Sequence, residues 1–232
     1  VKNSRHFAAL LVESLGKNIK IAYPASSAAS GQVEKIFYQA NIHIIRQNIY
    51  KPKVVGLGET GLDYFRESDN KHNQIKFFEG HLEISSLTNN PVIVHTRDAE
   101  SDTISTLKDF FRKKEVKGLI HCFTSTKEMA EAALDIGFYI SISGVITFKN
   151  AKDLVDVVRY IPLDRLLVET DSPYLAPVPN RGKRNEPSNT KFTLEKLAEI
   201  KKTSIENMAK ITTDNFFSLF IGIKYWIYQF KY

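Results

Sequence analysis

Two histidines and two carboxylates stand at the ends of short apolar segments that have the composition of buried strands. They are Glu59 after residues 54–58, His95 after residues 91–94, His121 after residues 118–120 and Asp171 after residues 166–168. Imidazole nitrogen and carboxylate oxygen are ligands for divalent ions such as Zn, Mn, Fe or Mg. The set predicts a metal centre. A carboxylate such as Glu59 can bridge two ions, and two ions close together suit phosphoryl transfer by metal-activated water.

Each of these residues also has an ordinary structural explanation when it is considered alone. A glutamate after a strand is commonly a solvated loop residue, and a histidine in an apolar run commonly belongs to the core. Asp171 precedes Ser172-Pro173 and is also suited to cap a turn. The repetition at four strand ends favours the metal site over four separate coincidences.

From residue 53 onward, short apolar segments alternate with segments of helical periodicity, which predicts a parallel sheet covered by helices. The predicted helices cover residues 71–88, 104–111, 125–136, 151–160, 190–202 and 204–219. Capping boxes, Ser125-x-x-Glu128 and Thr203-x-x-Glu206, predict two of the helix starts. Side chains at the carboxyl ends of four different strands favour an α/β fold of the TIM (β/α)8 barrel type over a doubly wound sheet.

Composition and charge narrow the class of protein. The 232 residues, 43% of them hydrophobic, predict one globular domain over residues 1–232. The single Cys122 excludes an intrachain disulfide and fits the cytoplasm. No signal peptide or membrane-spanning segment is expected. The net charge of +6 favours a polyanionic partner such as nucleic acid.

Several residues near the predicted metal ligands have side chains suited to supporting roles. Arg97 follows His95 by two positions and is expected to contact a phosphate, with a surface ion pair as the alternative. Three further cations, Arg181, Lys183 and Arg184, lie in the loop after the last predicted strand, where they would suit a phosphate backbone. Asp63, in a Gly-flanked turn over residues 58–64, is either an orienter of a metal ligand or a turn residue.

Five ordered motifs in this sequence resemble those of the TatD family of metal-dependent deoxyribonucleases. They are GETGLDY (58–64), PVIVHTRDA (91–99), GLIHCFTS (118–125), GFYISISGVITFKNAK (137–152) and LLVETDSPYLAPVPNRGKRNEPS (166–188). The resemblance covers about residues 53–219. It implies a monomeric barrel hydrolase that binds up to two ions, with Mg expected first and Mn or Zn as alternatives, and that trims DNA from the 3′ end.

The resemblance also implies roles for individual residues. Glu59 would bridge both ions, and His95 and His121 would bind the second ion. Asp171 would bind the first ion and help to handle the proton of the attacking water. Glu59 and Asp171 are therefore the expected catalytic residues, whereas Arg97 and the loop cations are expected to bind substrate.

Residues 1–50 depart from the family pattern. The family's His-x-His pair is absent, His6 stands alone, and Ala22-Tyr23-Pro24 occupies the place of a His-Pro turn. These departures predict an N-terminally truncated or divergent barrel that lacks its first strands. Residues 221–232 are expected to form an additional tail. Two alternative hypotheses about function remain open: the protein is a barrel hydrolase that acts on amides or lactones, or it is an inactive remnant of such an enzyme.

Overall fold

The computed structural model describes residues 31–51, 54–66, 68–221 and 223 of the chain. The expectations about His6, about Ala22-Tyr23-Pro24 and about missing first strands lie outside these residues. Backbone proximity divides the chain into two compact units, Val1–Gly118 and Leu119–Tyr232, and each is described in turn. A single domain over residues 1–232 stays a prediction.

The first unit is built around two parallel strands. Its elements are helix α1 (Gly31–Asn48), strand β1 (Leu57–Asp63), a short 3-10 helix (Ser68–Asn70), helix α2 (Lys71–Thr88), strand β2 (Val92–Arg97) and helix α3 (Glu100–Phe111). The register runs from Leu57 opposite Val92 to Asp63 opposite Arg97. Three successive residues of β2 are buried, as expected for a parallel strand with both faces covered: Val92, Ile93 and Val94.

Strand β1 differs from its prediction because it begins at Leu57 and continues to Asp63, so the turn predicted over residues 58–64 is wrong. Glu59 and His95 consequently lie within strands and not after them. The register shifts between Gly58 and Thr60. Gly61 has a φ of +133°, and a Cβ atom there would lie 2.0 Å from the carbonyl oxygen of His95. Only glycine accommodates this approach of the two backbones.

The second unit repeats the strand–helix alternation with three strands. Its elements are β3 (Gly118–Ile120, beginning at the boundary), α4 (Lys127–Asp135), β4 (Tyr139–Ile142), α5 (Lys152–Tyr160), β5 (Leu166–Val168), α6 (Thr190–Ile200), α7 (Ile205–Leu219) and 3-10 helices at Gly144–Thr147, Leu163–Arg165 and Pro187–Asn189. Strand β4 pairs in parallel with β3 and with β5. Several of the paired residues are fully buried, among them Ile120, Ile140 and Leu166. The predicted α/β class with parallel strands is therefore confirmed.

Two helix starts differ from the predicted capping boxes by one residue. Helix α4 is capped by Thr126, whose side chain accepts a hydrogen bond from the backbone N–H of Met129. Helix α7 is capped by Ser204, which accepts from the N–H of Asn207. In both cases the second of two adjacent hydroxyl residues takes the N-cap position, because its backbone is extended and its oxygen reaches the first helical turn.

None of the helices in the described part of the chain is both long enough and apolar enough to cross a membrane.

Candidate metal centre

In the first unit, His95 lies between two carboxylates. Its Nδ1 is 2.9 Å from Glu59 Oε1, and its Nε2 is 3.1 Å from Asp63 Oδ2. Strands β1 and β2 position all three side chains, which are largely buried. Both features considered for Asp63 are observed: it contacts His95, a candidate ligand, and it accepts a hydrogen bond from the backbone N–H of Arg66 in the turn after β1.

Asp63 is held in its ionised form. Burial raises the pKa of Asp63, but a hydrogen bond from His95, another from the backbone N–H of Arg66, and the charges of these two residues lower the pKa below its ordinary value. An ionised carboxylate only accepts hydrogen bonds, so Nε2 of His95 is the donor to Asp63. In a neutral imidazole the lone pair is then on Nδ1, which faces Glu59.

In the second unit, His121 stands between a buried glutamate and a more exposed aspartate. Its Nδ1 is 2.9 Å from Glu169 Oε1, and both side chains are 4% exposed. Its Nε2 is 4.0 Å from Asp171 Oδ1, and the side chain of Asp171 is 23% exposed. His121 directly follows β3, and Glu169 directly follows β5. A carboxylate behind a histidine fixes the ring and directs its second nitrogen outward, as commonly found at metal sites.

A hydrogen-bonded turn holds Asp171 in place. Asp171 has a left-handed backbone, with φ of 52°. Asn185, which is 2% exposed, donates from its side chain to the carbonyl oxygens of Thr170 and Tyr174, at 2.6 and 2.7 Å. The backbone N–H of Ser172 donates to the hydroxyl of Thr170. Asn185 therefore ties the loop of basic residues to both sides of Asp171.

The residues in both units fit a divalent cation. Ligands about 2.1 Å from an octahedral ion are about 3.0 Å apart when adjacent, close to the separation of Glu59 and His95. The distance between His121 and Asp171 leaves space for an ion between them. Neither carboxylate oxygen of Glu169 has a hydrogen bond of good geometry among the described residues. A cation beside His121 would offset the cost of that buried charge.

The residues predicted to bind substrate are exposed in the structure. Arg97, the last residue of β2, lies two positions beyond His95 and so on the same face of the strand, and its guanidinium carbon is 3.7 Å from the ring centroid of Phe65. The guanidinium carbon of Arg181 is 3.9 Å from the ring centroid of Phe148. Lys183 and Arg184 are exposed in the loop that Asn185 anchors. Substrate binding by these residues stays a prediction.

Sequence reasoning missed two residues of these clusters. Glu169 directly follows a buried strand, as His121 does, and that position was the available signal for it. Asn185 lies in a polar loop, and nothing in its sequence neighbourhood distinguishes it from a solvated residue. Its role depends on carbonyl groups more than ten positions away in the chain.

Comparison with known proteins places these clusters in a family. The sequence model of the family described as TatD related DNase matches residues 19–221. The uncharacterized metal-dependent hydrolase YcfH of Escherichia coli K12 is 45% identical over 201 residues, which are 82% of this chain and 76% of that protein. The protein named 3′-5′ ssDNA/RNA exonuclease TatD in Escherichia fergusonii is 34% identical over 180 residues, 75% of this chain and 68% of its own length.

A solved structure extends the likeness to the fold. The crystal structure of YJJV, a TatD homolog from Escherichia coli K12, matches with a TM-score of 0.70 and 26% sequence identity, and the match covers 82% of this chain and 71% of the other. The fold class predicted from the sequence is thereby confirmed as the α/β barrel type. The chain belongs to the TatD related DNase family of metal-dependent hydrolases.

Proposed function

We propose that this protein hydrolyses phosphodiester bonds of DNA in a metal-dependent reaction. The observation that carries the proposal is the position of Arg97, an exposed cation on the same face of β2 as His95. A guanidinium beside a candidate metal ligand is suited to hold a phosphate next to the reacting bond. The name of the relative from Escherichia fergusonii, a nuclease, supports DNA as the substrate class.

We assign the metal ligands as the sequence predicts, to Glu59, His95, His121 and Asp171. A divalent ion held by them would polarise the phosphoryl oxygen and lower the pKa of the attacking water. Asp63 and Glu169 act behind the two histidines: Asp63 accepts a hydrogen bond from Nε2 of His95, and Glu169 places a carboxylate 2.9 Å from Nδ1 of His121. The supporting carboxylates thus keep one nitrogen of each imidazole available as a ligand.

Asp171 and Glu59 are the proposed catalytic carboxylates. Asp171 is the more exposed of the two carboxylates at His121, so its oxygen is accessible to a water molecule. We propose that it accepts the proton of the attacking water, with Asn185 and the surrounding turn keeping the carboxylate in position. Arg97 and the loop cations Arg181, Lys183 and Arg184 would neutralise phosphate charge of the substrate.

The ligand types suit more than one ion. Carboxylates favour Mg or Mn, and imidazole nitrogens favour Mn or Zn over Mg. We propose that up to two ions bind, with Mg as the expected native metal and Mn as the best probe. We also propose a monomer acting in the cytoplasm, in keeping with the single Cys122. Size-exclusion chromatography with light scattering tests the monomer directly.

The experiment is a hydrolysis assay on metal-depleted protein to which one metal is returned at a time. The substrates are single-stranded DNA with a label at the 5′ end, duplex DNA, and a panel of small amides and lactones. The proposal expects cleavage of DNA with Mg or Mn, none with chelator, and shortening that begins at the 3′ end.

The other outcomes of this assay are equally informative. Turnover of an amide or lactone with no cleavage of DNA would replace the nuclease with a different hydrolase of the same family. A chain that binds Mn in calorimetry but hydrolyses nothing would contradict the proposed reaction while leaving the ligand assignment in place. A chain that binds no metal would contradict both.

A further inference from the structure

An aromatic ring lies exposed beside the proposed phosphate-binding arginine. Phe65 follows β1 by two residues and is 62% exposed, and the guanidinium carbon of Arg97 lies 3.7 Å from the centroid of its ring. Stacking against a guanidinium holds the ring in one orientation. Phe65 therefore presents a large, oriented apolar surface to solvent.

This ring is fixed to the end of the strands that carry His95. The backbone N–H of Tyr64 donates to the carbonyl oxygen of Arg97 at 2.9 Å, so the chain just before Phe65 continues the pairing of β1 with β2. Asp63, which contacts Nε2 of His95, is paired in register with Arg97. Arg97 therefore connects the two residues: it lies in the same strand as His95, and its backbone pairs with the segment that leads to Phe65.

The local charge suits a nucleotide. Arg97 is exposed and stacks on the ring, and Arg66, next to Phe65 in the chain, is half exposed and forms an ion pair with Asp63 at 3.4 Å. Aromatic rings next to cations bind single-stranded nucleic acid, because any base stacks on the ring while the cations attract the backbone. Bases within a duplex are already stacked on their neighbours, so an unpaired base is the expected occupant.

We propose that Phe65, backed by Arg97, is a stacking site for an unpaired base of the DNA strand. The inference rests on the proposed nuclease function and adds a subsite to it. It predicts a preference for single strands that depends on a ring outside the metal ligands. Stacking is tolerant of base identity, so this subsite would hold a strand end without selecting its sequence.

Binding is measured with chelator present, so that cleavage does not interfere. The probes are a labelled oligothymidylate of about eight nucleotides and an abasic oligomer of the same length, which keeps the phosphates and removes the bases. The wild-type protein is expected to bind the oligothymidylate about tenfold more tightly than the abasic strand. Phe65→Ala is expected to bind the two strands equally, and Phe65→Trp to retain the difference.

Two further variants separate stacking from other effects. Phe65→Leu keeps an apolar side chain but has no aromatic face, so it should behave like Phe65→Ala. Tyr50→Ala removes a ring that is 75% exposed just after α1, and it should leave the preference for bases intact. Circular dichroism of each variant reports whether the fold is retained.

A Phe65→Ala protein that keeps the wild-type preference for bases would overturn the stacking site. The nuclease proposal would survive that result, because affinity for phosphates and metal-dependent cleavage are measured separately. If the wild-type protein bound neither strand, the stacking site would be wrong, whereas the nuclease proposal would be decided by its own cleavage assay. If Phe65→Leu retained the preference and Phe65→Ala did not, apolar contact would replace stacking, and the inference would again be wrong.

Discussion

Glu169 and His121 form a buried pair, with 2.9 Å between Glu169 Oε1 and His121 Nδ1, and their side chains are each 4% exposed. The other ring nitrogen of His121 is directed towards the more exposed Asp171. A carboxylate so thoroughly buried is unfavourable unless positive charge compensates it. We propose that a cation on the far side of the imidazole ring compensates this charge.

Replacing the buried carboxylate tests this explanation. Glu169→Gln keeps the shape of the side chain but removes its charge, so the His121 ring loses the negative charge next to its Nδ1. We expect Mn affinity to fall about 10–100-fold, as is usual for carboxylates behind metal-binding histidines. Titration calorimetry measures the affinity, and Glu195→Gln, at an exposed position in α6, is the matched control. Equal affinity in both variants would remove Glu169 from the account.

Gly61 is predicted to be essential for the approach of β1 to His95. In Gly61→Ala the new methyl group would meet the carbonyl oxygen of His95 at 2.0 Å, and the backbone φ of +133° is unfavourable for alanine. We expect the free energy of unfolding to decrease by about 1–3 kcal/mol. Gly137→Ala is the control, because its φ is also positive but no atom lies within 4 Å. Urea denaturation compares the two, and an equal loss would mean that the steric contact is unimportant.

His81 gives the protein a predicted sensitivity to acid. It is 1% exposed in α2, where burial lowers its pKa below 6.5, although a hydrogen bond to the carbonyl oxygen of Phe77 acts in the opposite direction. The unfolded chain therefore binds the proton more readily than the folded protein. The contribution of His81 to stability is complete above pH 6.5 and declines as the pH falls below that value.

The measurement is the difference in pH dependence between the wild-type protein and His81→Leu. Between pH 7.5 and 5, the wild-type protein should lose more stability than the variant, with an additional slope of at most about 1.4 kcal/mol per pH unit. His72→Leu, at an exposed position on the same helix, should keep the wild-type slope. Parallel curves for the wild-type protein and His81→Leu would show that the buried ring does not cause the effect.

The basic loop is predicted to contribute to DNA affinity through charge alone. Replacing Arg181, Lys183 and Arg184 together by glutamine should weaken binding of single-stranded DNA and reduce the salt dependence. For three phosphate contacts, the slope of log affinity against log salt should decrease by about 2. In a control triple variant, the three exposed cations after α3 are replaced by glutamine, which removes the same charge: Arg112, Lys113 and Lys114. Similar slopes in the two triple variants would exclude a specific role for the loop.

The sequence predicted the segments that carry the candidate metal ligands better than it predicted the geometry around them. Hydrophobic runs located β2, β3 and β5, because a buried parallel strand has few polar positions. They placed β1 too early, since the glycines on either side of Glu59 suggested a turn. The structure instead uses Gly61 to bring two strands together, which depends on the position of His95 in another segment.

The helix caps and the residues that support the candidate ligands show a second limit of prediction from sequence. The spacing to the following glutamate predicts the hydroxyl residue before Thr126 and the one before Ser204 as N-caps. The local backbone geometry instead makes Thr126 and Ser204 the capping residues. Glu169 and Asn185 act through contacts with residues far away in sequence. Such contacts depend on tertiary packing, and local composition does not specify them.

The central claim is that His95 and His121 bind the metal on which DNA hydrolysis depends, and the most direct measurement is the cleavage rate of each alanine variant. His95→Ala and His121→Ala are assayed with saturating Mn on labelled single-stranded DNA, alongside His72→Ala and after circular dichroism has shown that each variant is folded. The account predicts cleavage by the wild-type protein and His72→Ala, and none by the other two variants. Unchanged turnover in His95→Ala or His121→Ala would contradict it.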